Sequence, residues 1–570
     1  MLECNRQTVP RAVGADRLAR RSDRWFASPG HGYLRAVRFA ALGSALVLCA
    51  LAVVAALTLG GWGWIVVAAV FAVIALIGIH DVVQRRHSIL RNYPILGHAR
   101  FALETVRPEL QQYFIERNTD GRPFDRDTRT SIYERAKGIK DEQAYGTERD
   151  VREPGYEWLL QSMHPQDPPK AEPRITIGGP DCSQPYEMAL LNVSAMSFGA
   201  LSGAALTALN RGAAKGGFAH DTGEGGLTRY HLNGADVVWE LGSGYFGARA
   251  KDGGLDREQF RDKAAQDAVK CVSLKLSQGA KPGIGGVLPG AKVTKEIADA
   301  RSVPQGETCV SPPAHKVFST PRELVLFIAE MRELAGGKPT GFKLCVGRRH
   351  ELLAVCKAMV AEQVTPDFIV VDGSEGGTGA APAEYEDHVG VPLTEGLMTV
   401  HNALVGCGLR DRIRICASGK IATGSDVVKR LAIGADYTNA ARAMMMAVGC
   451  IQSQRCNTNE CPVGVATQDP RRSRALDVAD KSERVYRYQH AVVAEAQRLI
   501  GSMGLHSPAQ VGPHHLVRRV DHVTSSSYAD LYEWLAPGQL IEEPPESWAR
   551  DWERADPDTF TAAAPEPSPA

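Results

Sequence analysis

No charged residue occurs between Phe39 and Ile79, and two apolar runs, residues 39–59 and 62–79, fill that interval. Each run is close to the ~20 residues needed to cross a bilayer core. Gly60-Gly61-Trp62-Gly63-Trp64 separates them, a turn whose tryptophans suit a membrane interface. The pattern predicts a transmembrane helical hairpin over residues 39–83. Arg17, Arg20, Arg21, Arg24, Arg35 and Arg38 precede it, and Arg85, Arg86 and Arg91 follow. By the positive-inside bias both ends face the cytoplasm, which places the chain in the cell membrane with a cytoplasmic catalytic domain. A buried soluble hairpin shares the apolar pattern. A cleaved leader is a poorer match, because the charged segment is long and a second apolar run follows at once.

Beyond the hairpin the pattern changes to short apolar runs alternating with helix-period segments. Strands are predicted at 188–194, 217–220, 271–276, 308–310, 341–345, 368–371, 413–417 and 437–440. Helices are predicted at 202–215, 321–335, 350–362, 396–405 and 424–432. Eight such units read as an α/β chain forming a (β/α)₈ barrel, with a doubly wound open sheet as the other solution. The predicted organisation is a basic leader (1–38), the hairpin (39–83), a connector (84–173), the barrel (174–470), a helical extension (471–540) and a disordered Pro/Ala/acid-rich tail (541–570). The 570 residues carry 65 basic and 65 acidic side chains, which argues against a global nucleic-acid footprint. Twelve cysteines are too sparse for a disulfide scaffold.

Three of those cysteines stand apart. Cys450, Cys456 and Cys461 have five and four residues between them, in Gly-Cys-Ile-Gln-Ser-Gln-Arg-Cys-Asn-Thr-Asn-Glu-Cys-Pro. Thiolates are the soft ligands of iron–sulfur clusters, and zinc would want a fourth Cys or His. Three ligands fit a three-iron cluster, or a four-iron one with a further ligand. A glycine-rich loop, residues 275–290, carries Lys275, Gln278 and Lys281, groups able to hold an anion. Two glycine-rich strand-to-helix junctions, 372–379 and 417–424, precede Gly434-Ala435-Asp436-Tyr437-Thr438-Asn439-Ala440-Ala441-Arg442. In barrels the loops after strands seven and eight often bind phosphate, here Gly419, Lys420, Ala441 and Arg442.

Together with Ala195-Met196-Ser197-Phe198-Gly199-Ala200, Thr222-Gly223-Glu224-Gly225-Gly226, Ser311-Pro312-Pro313-Ala314-His315 and Gly376-Gly377-Thr378-Gly379-Ala380, these blocks resemble the central region of glutamate synthases. The layout is closest to the shorter FMN-binding glutamate synthase-like proteins. The resemblance implies FMN and a [3Fe-4S] cluster on Cys450, Cys456 and Cys461. It places Met196, Ser197, Gly199, Ala200, Lys275, Lys343, Gly373, Gly376, Gly377, Thr378, Gly419, Lys420, Ala441 and Arg442 at the flavin, Lys343 toward its pyrimidine ring. Gln278, Lys281 and Arg301 would bind 2-oxoglutarate, and Glu224 would handle ammonia or the imine. Glu224, Lys281 and Gln278 are thus the expected catalytic set. The implied reaction is reductive amination of 2-oxoglutarate to L-glutamate through 2-iminoglutarate.

The chain departs from the large enzymes in several places. No glutaminase or NAD(P)H domain is expected, so ammonia is external, as is the electron donor, a ferredoxin or a reductase subunit. Lys420 replaces a usual glycine, Arg442 faces either phosphate or cluster, and Leu227 stands where the large enzymes have an acid. Two other readings stay open: a different dicarboxylate or amine, with a membrane electron carrier, and a non-catalytic membrane-tethered electron-transfer subunit.

Overall fold

The computed structural model describes residues 30–139 and 142–561, with side chains from residue 39 onward. Two compact units divide the chain at Glu116 and Arg117.

The first unit contains helices α1 (Gly30–Thr58) and α2 (Trp62–Val83). Their apolar stretches, Phe39–Thr58 and Trp62–Val83, are 20 and 22 residues long, enough to cross a membrane. Most of their apolar surface is exposed, with Leu57 81% and Trp62 80% accessible. A helix at the heart of a soluble fold would be covered instead. Arg17, Arg20, Arg21 and Arg24, on which the orientation reading rests, lie outside the described residues, as do the side chains of Arg35 and Arg38.

The second unit opens with helix α3 (Arg126–Lys137) and is built on a closed barrel. Its eight strands are β1 (Leu191–Val193), β2 (His220–Asp221), β3 (Val237–Leu241), β4 (Val269–Lys275), β5 (Thr340–Leu344), β6 (Phe368–Asp372), β7 (Arg414–Ser418) and β8 (Tyr437–Ala440). Every neighbouring pair is parallel, and β8 closes on β1. Both faces of the sheet are covered, and every residue of β3 and of β6 is buried. Crossover helices include α4 (Gly203–Gly216), α5 (Arg257–Ala264), α6 (Lys295–Arg301), α7 (Pro321–Leu334), α8 (Arg349–Glu362), α9 (Leu393–Gly406) and α10 (Gly424–Ala432). Their starts are set locally. Ser202 and Thr320 cap α4 and α7 through their hydroxyls, and Thr423 with Asp426 forms a capping box on α10. A short helix α11 (Arg442–Val448) leads into the cysteine loop.

Four expectations are corrected. Residues 308–310 are no barrel strand: Cys309–Val310 pairs antiparallel with Val287–Leu288 in an excursion between β4 and β5. The third barrel strand is instead β3, absent from the sequence-based set. The run 188–194 splits, Tyr186–Ala189 forming a hairpin with Arg174–Ile177 before β1 begins. The extension is more than helices. α12 (Val478–Ser502) packs on α4 so closely that a methyl at Gly212 would lie 2.7 Å from Val485, but Leu516–Arg519 then forms a sheet with Glu157–Leu159 and Ser525–Ser527.

In the segment expected to be disordered, the described residues 541–561 are folded. Helix α13 (Glu546–Arg554) seats buried Trp548 under the Arg349 guanidinium, 4.4 Å from its ring. Arg349 also binds Asp551 at 2.6 Å, and Lys357 donates to the Trp552 and Ala555 carbonyls at 2.7 and 3.0 Å. Two tryptophans four residues apart give this acidic segment an apolar face. Composition alone hid it.

Candidate active site

The functional side chains gather at the carboxyl end of the barrel. The closed barrel brings the loops that follow its parallel strands to one face, so residues from many loops meet there. Glu224, just after β2, lies 2.9 Å from the Lys275 ammonium at the end of β4. Lys275 also donates to the side-chain oxygen of Gln278, and the Ser311 hydroxyl reaches Glu224 at 3.4 Å. Two glycines make this possible. A Cβ at Gly286 would overlap Glu224 Oε1, and one at Gly242 would lie 2.7 Å from Oε2. Burial pushes the Glu224 carboxyl up, but Lys275, Lys281 and Arg301 outweigh it and hold it at about 2.

Lys281 is buried and donates to the Ala380 carbonyl at 3.2 Å. Burial, then the neighbouring Lys275, brings its ammonium down to about 8. Arg301, from the end of α6, donates to the Phe198 carbonyl at 3.0 Å and to Ser197 Oγ at 3.3 Å, and lies over the Phe246 ring at 5.1 Å. The structure thus brings Glu224, Gln278, Lys281 and Arg301 together. Lys275, expected at the flavin, pairs with Glu224 and Gln278 in this cluster. Thr378 also turns this way, its hydroxyl donating to the Ala380 carbonyl at 3.4 Å.

A second charged group fills the barrel mouth. Lys343 on β5 stands 3.5 Å from Glu240 on β3 and 3.7 Å from Asp372 on β6, with Asp221 of β2 also acting on it. Burial alone would lower the ammonium; the three acids raise it. Asp221 goes the other way: burial, then Glu240, pushes its carboxyl well above the ordinary range. None of these acids was singled out from sequence. Each stands alone in its local run, and only the closed barrel puts them around one lysine. Asp372 also accepts from the Gly279 amide at 3.0 Å, which pins the glycine-rich loop to β6.

Past β6 and β7 the chain lines a cationic corner. The Gly373 amide donates to Ser418 at 2.9 Å and Gly376 to Gly373 at 2.8 Å, closing a tight turn. A Cβ at Gly377 would lie 2.7 Å from Arg442 Cδ. Arg442, following Ala441, donates to the Glu375 carbonyl and covers the Phe124 ring at 5.2 Å. Its partners lie on both sides: Glu375 belongs to the turn after β6, whereas the Phe124 backbone is bonded to Gln452 of the cysteine loop. Lys420, next to Gly419, is lowered by burial and then by Arg442, with Arg122 adding a third cation. Across the mouth, Met196, Ser197, Gly199 and Ala200 form a turn after β1, where Gly199 has φ +104. Buried Arg301 Nε, His315 Nδ1 and Asn439 Oδ1 have no hydrogen-bond partner among the described residues. Such atoms are costly unless something binds them.

Cys450, Cys456 and Cys461 follow α11. Burial first, with the neighbouring Cys456 and Cys461 thiols adding to it, pushes the Cys450 thiol up to about 12, so the three feel one another. Among the described residues no three metal-ligating side chains form a coordination group. Tyr133 fixes the loop by donating to the Cys450 carbonyl at 2.8 Å. Lys292, unmarked by any motif, is buried beside it. It donates to the Ala200 carbonyl at 2.8 Å and to those of Cys456 and Ala466 at 3.3 Å, tying the turn after β1 to the cysteine loop.

A family model described as the conserved region in glutamate synthase matches residues 170–506. The glutamate synthase large subunit-like protein YerD of Bacillus subtilis (strain 168) is 38% identical over 495 residues, 80% of this chain and 94% of the relative. A Rhizobium meliloti (strain 1021) glutamate synthase large subunit-like protein is 30% identical, over 67% of this chain and 88% of its own. The archaeal glutamate synthase [NADPH] of Methanocaldococcus jannaschii is 35% identical over 317 residues, 55% of this chain but only 59% of that protein. From the matched region and these relatives, the chain belongs to the glutamate synthase family.

Proposed function

We propose that this protein is a glutamate synthase-type oxidoreductase that binds FMN and aminates 2-oxoglutarate reductively to L-glutamate. The observation that carries this reading is the charge balance around Glu224. Lys275, Lys281 and Arg301 surround one buried carboxylate, which leaves two positive charges for a dicarboxylate substrate. Arg301 and Lys281 would take the two carboxylates, and Gln278 would fix the keto end. Glu224, ionised at neutral pH, would accept hydrogen bonds from ammonium or from the imine N–H of 2-iminoglutarate. Lys281, with its pKa near 8, can exchange a proton close to neutral pH.

Several side chains and turns support a flavin site. Lys420, Arg442 and the turns at Gly373, Gly376, Gly377 and Gly419 suit a phosphate, and Lys343 suits an electron-rich ring edge. The buried, partnerless Asn439 Oδ1 lies on β8 near the same corner. Bound FMN would supply hydride chemistry that side chains lack. Cys450, Cys456 and Cys461 would hold the [3Fe-4S] cluster: their buried thiols need a positive partner to ionise, as cluster iron provides. Lys292 would keep that loop against the turn after β1.

The apolar helices α1 and α2 support a membrane anchor with a cytoplasmic barrel, and with it an electron donor at or in the membrane. A ferredoxin or reductase subunit is the alternative donor. Turnover of 2-oxoglutarate and ammonium with a reduced artificial donor tests the reading. Glutamate accumulating in step with donor oxidation supports it; donor oxidation independent of 2-oxoglutarate contradicts it.

A further inference from the structure

The segment just beyond the hairpin has its own architecture. Helix Leu96–Leu110 continues as a π turn, Gln111–Ile115. Leu96, Leu103, Val106, Leu110 and Phe114 recur at three-, four- and seven-residue spacing, which puts them along one side of a helix. All five are exposed, Leu103 at 63% and Phe114 at 81%. Arg100 and Arg107 border this stripe, and Arg100 pairs with Glu104 at 2.9 Å. On the opposite side Phe101 is half-buried, its ring meeting that of His87 edge-on at 5.8 Å.

The helix is fastened to the end of α2. Asp81, buried near the end of that helix, accepts from the Ile95 amide at 3.0 Å and lies 2.9 Å from His98 Nε2. Ile95 adopts φ +67, a conformation uncommon for a β-branched residue. Gly78 makes room for it: a Cβ there would lie 3.1 Å from the Ile95 side chain and 2.7 Å from Leu42. The first turn of the amphipathic helix is therefore locked to the point where α2 ends.

We propose that residues 96–114 form an interfacial helix that lies in the headgroup layer of the membrane with its Leu/Val/Phe stripe in lipid. The proposal rests on reading α1 and α2 as membrane-spanning. The occupant follows from continuity. The stripe begins where a membrane-length helix stops, Arg85, Arg86 and Arg91 lie in the link, and Arg100 and Arg107 can reach phosphate groups while their stems stay in the apolar layer. A water-facing helix gains nothing from five aligned apolar residues, whereas an interfacial one takes them out of water.

The test is site-specific photo-crosslinking of the full chain in phosphatidylcholine/phosphatidylglycerol vesicles, with p-benzoylphenylalanine at Leu103, Leu110, Thr105 or Val53. Val53 reports on α1 and Thr105 on the polar side of the new helix. Lipid adducts at Val53, Leu103 and Leu110, with none at Thr105, are expected. Adducts at Val53 without any at Leu103 and Leu110, or protein–protein adducts there, would overturn the interfacial helix and leave the hairpin standing. No lipid adduct at any of the four positions would remove both.

Discussion

The Lys275 ammonium lies 2.9 Å from the Glu224 carboxylate, and both groups are largely shielded from water at the barrel mouth. In that setting the pair sets charge and geometry for everything that binds beside it. Its existence depends on a glycine, Gly286, whose missing side chain leaves the space that Glu224 Oε1 fills.

Gly286→Ala should therefore displace Glu224 without unfolding the barrel. Misplacing a reacting group by about 1 Å costs on the order of 10²-fold in rate. The expected result is an unchanged far-UV circular dichroism spectrum with a loss of that order in kcat/KM for 2-oxoglutarate.

Lys281 should limit activity at alkaline pH. Its ammonium, lowered by burial and then by Lys275 to about 8, loses its charge above that value. The profile of kcat/KM for 2-oxoglutarate should fall about tenfold per pH unit beyond it, since this ratio reports the free enzyme. Lys281→Arg should move the limb upward. Glu224 gives no acid limb near neutrality. Its lowered pKa stabilises the fold above the ordinary value of 4.5, and that contribution disappears only as pH falls to about 2. Wild type and Glu224→Gln should therefore converge in stability between those values when unfolding is followed against pH.

Arg442→Ala should weaken FMN binding more than it weakens the fold. A hydrogen bond to a charged group contributes roughly 1.5–3 kcal/mol, about 10- to 150-fold in Kd. Flavin-fluorescence titration of the cofactor-stripped variant measures this directly.

Trp548→Ala tests the ordered tail. Its ring is buried against Arg349, and its indole N–H donates to Glu533 at 3.1 Å. Emptying such a site costs about 3–5 kcal/mol, which should appear as a lower thermal midpoint of the barrel.

Sequence made the barrel and its loops legible wherever apolar runs were uninterrupted. β6 is legible close to its observed limits because both faces are buried and its Phe-Ile-Val-Val run is continuous. β3 escaped because Glu240 interrupts its apolar run, and the partner that justifies the buried acid, Lys343, is supplied by a distant strand. Cys309–Val310 was mistaken for a barrel strand because a two-residue hairpin arm and a short parallel strand look alike without partners. The glycine loop with Lys275, Gln278 and Lys281 is legible because its motif is local, whereas Glu224 and Arg301 are pointed to only by the family resemblance. Asp221, Asp372 and Lys292 could not be found, since their meaning comes from groups brought together by closure of the barrel. The two tryptophans of the tail were a usable signal, outweighed by its proline and acid content.

The most direct measurement is a single turnover. The anaerobically purified holoenzyme, its flavin fully reduced, is mixed with 2-oxoglutarate and ¹⁵N-ammonium while flavin absorbance is recorded. The account predicts flavin reoxidation that requires both substrates, with one ¹⁵N-labelled L-glutamate formed per flavin. Flavin that stays reduced, or reoxidises without forming glutamate, would contradict it.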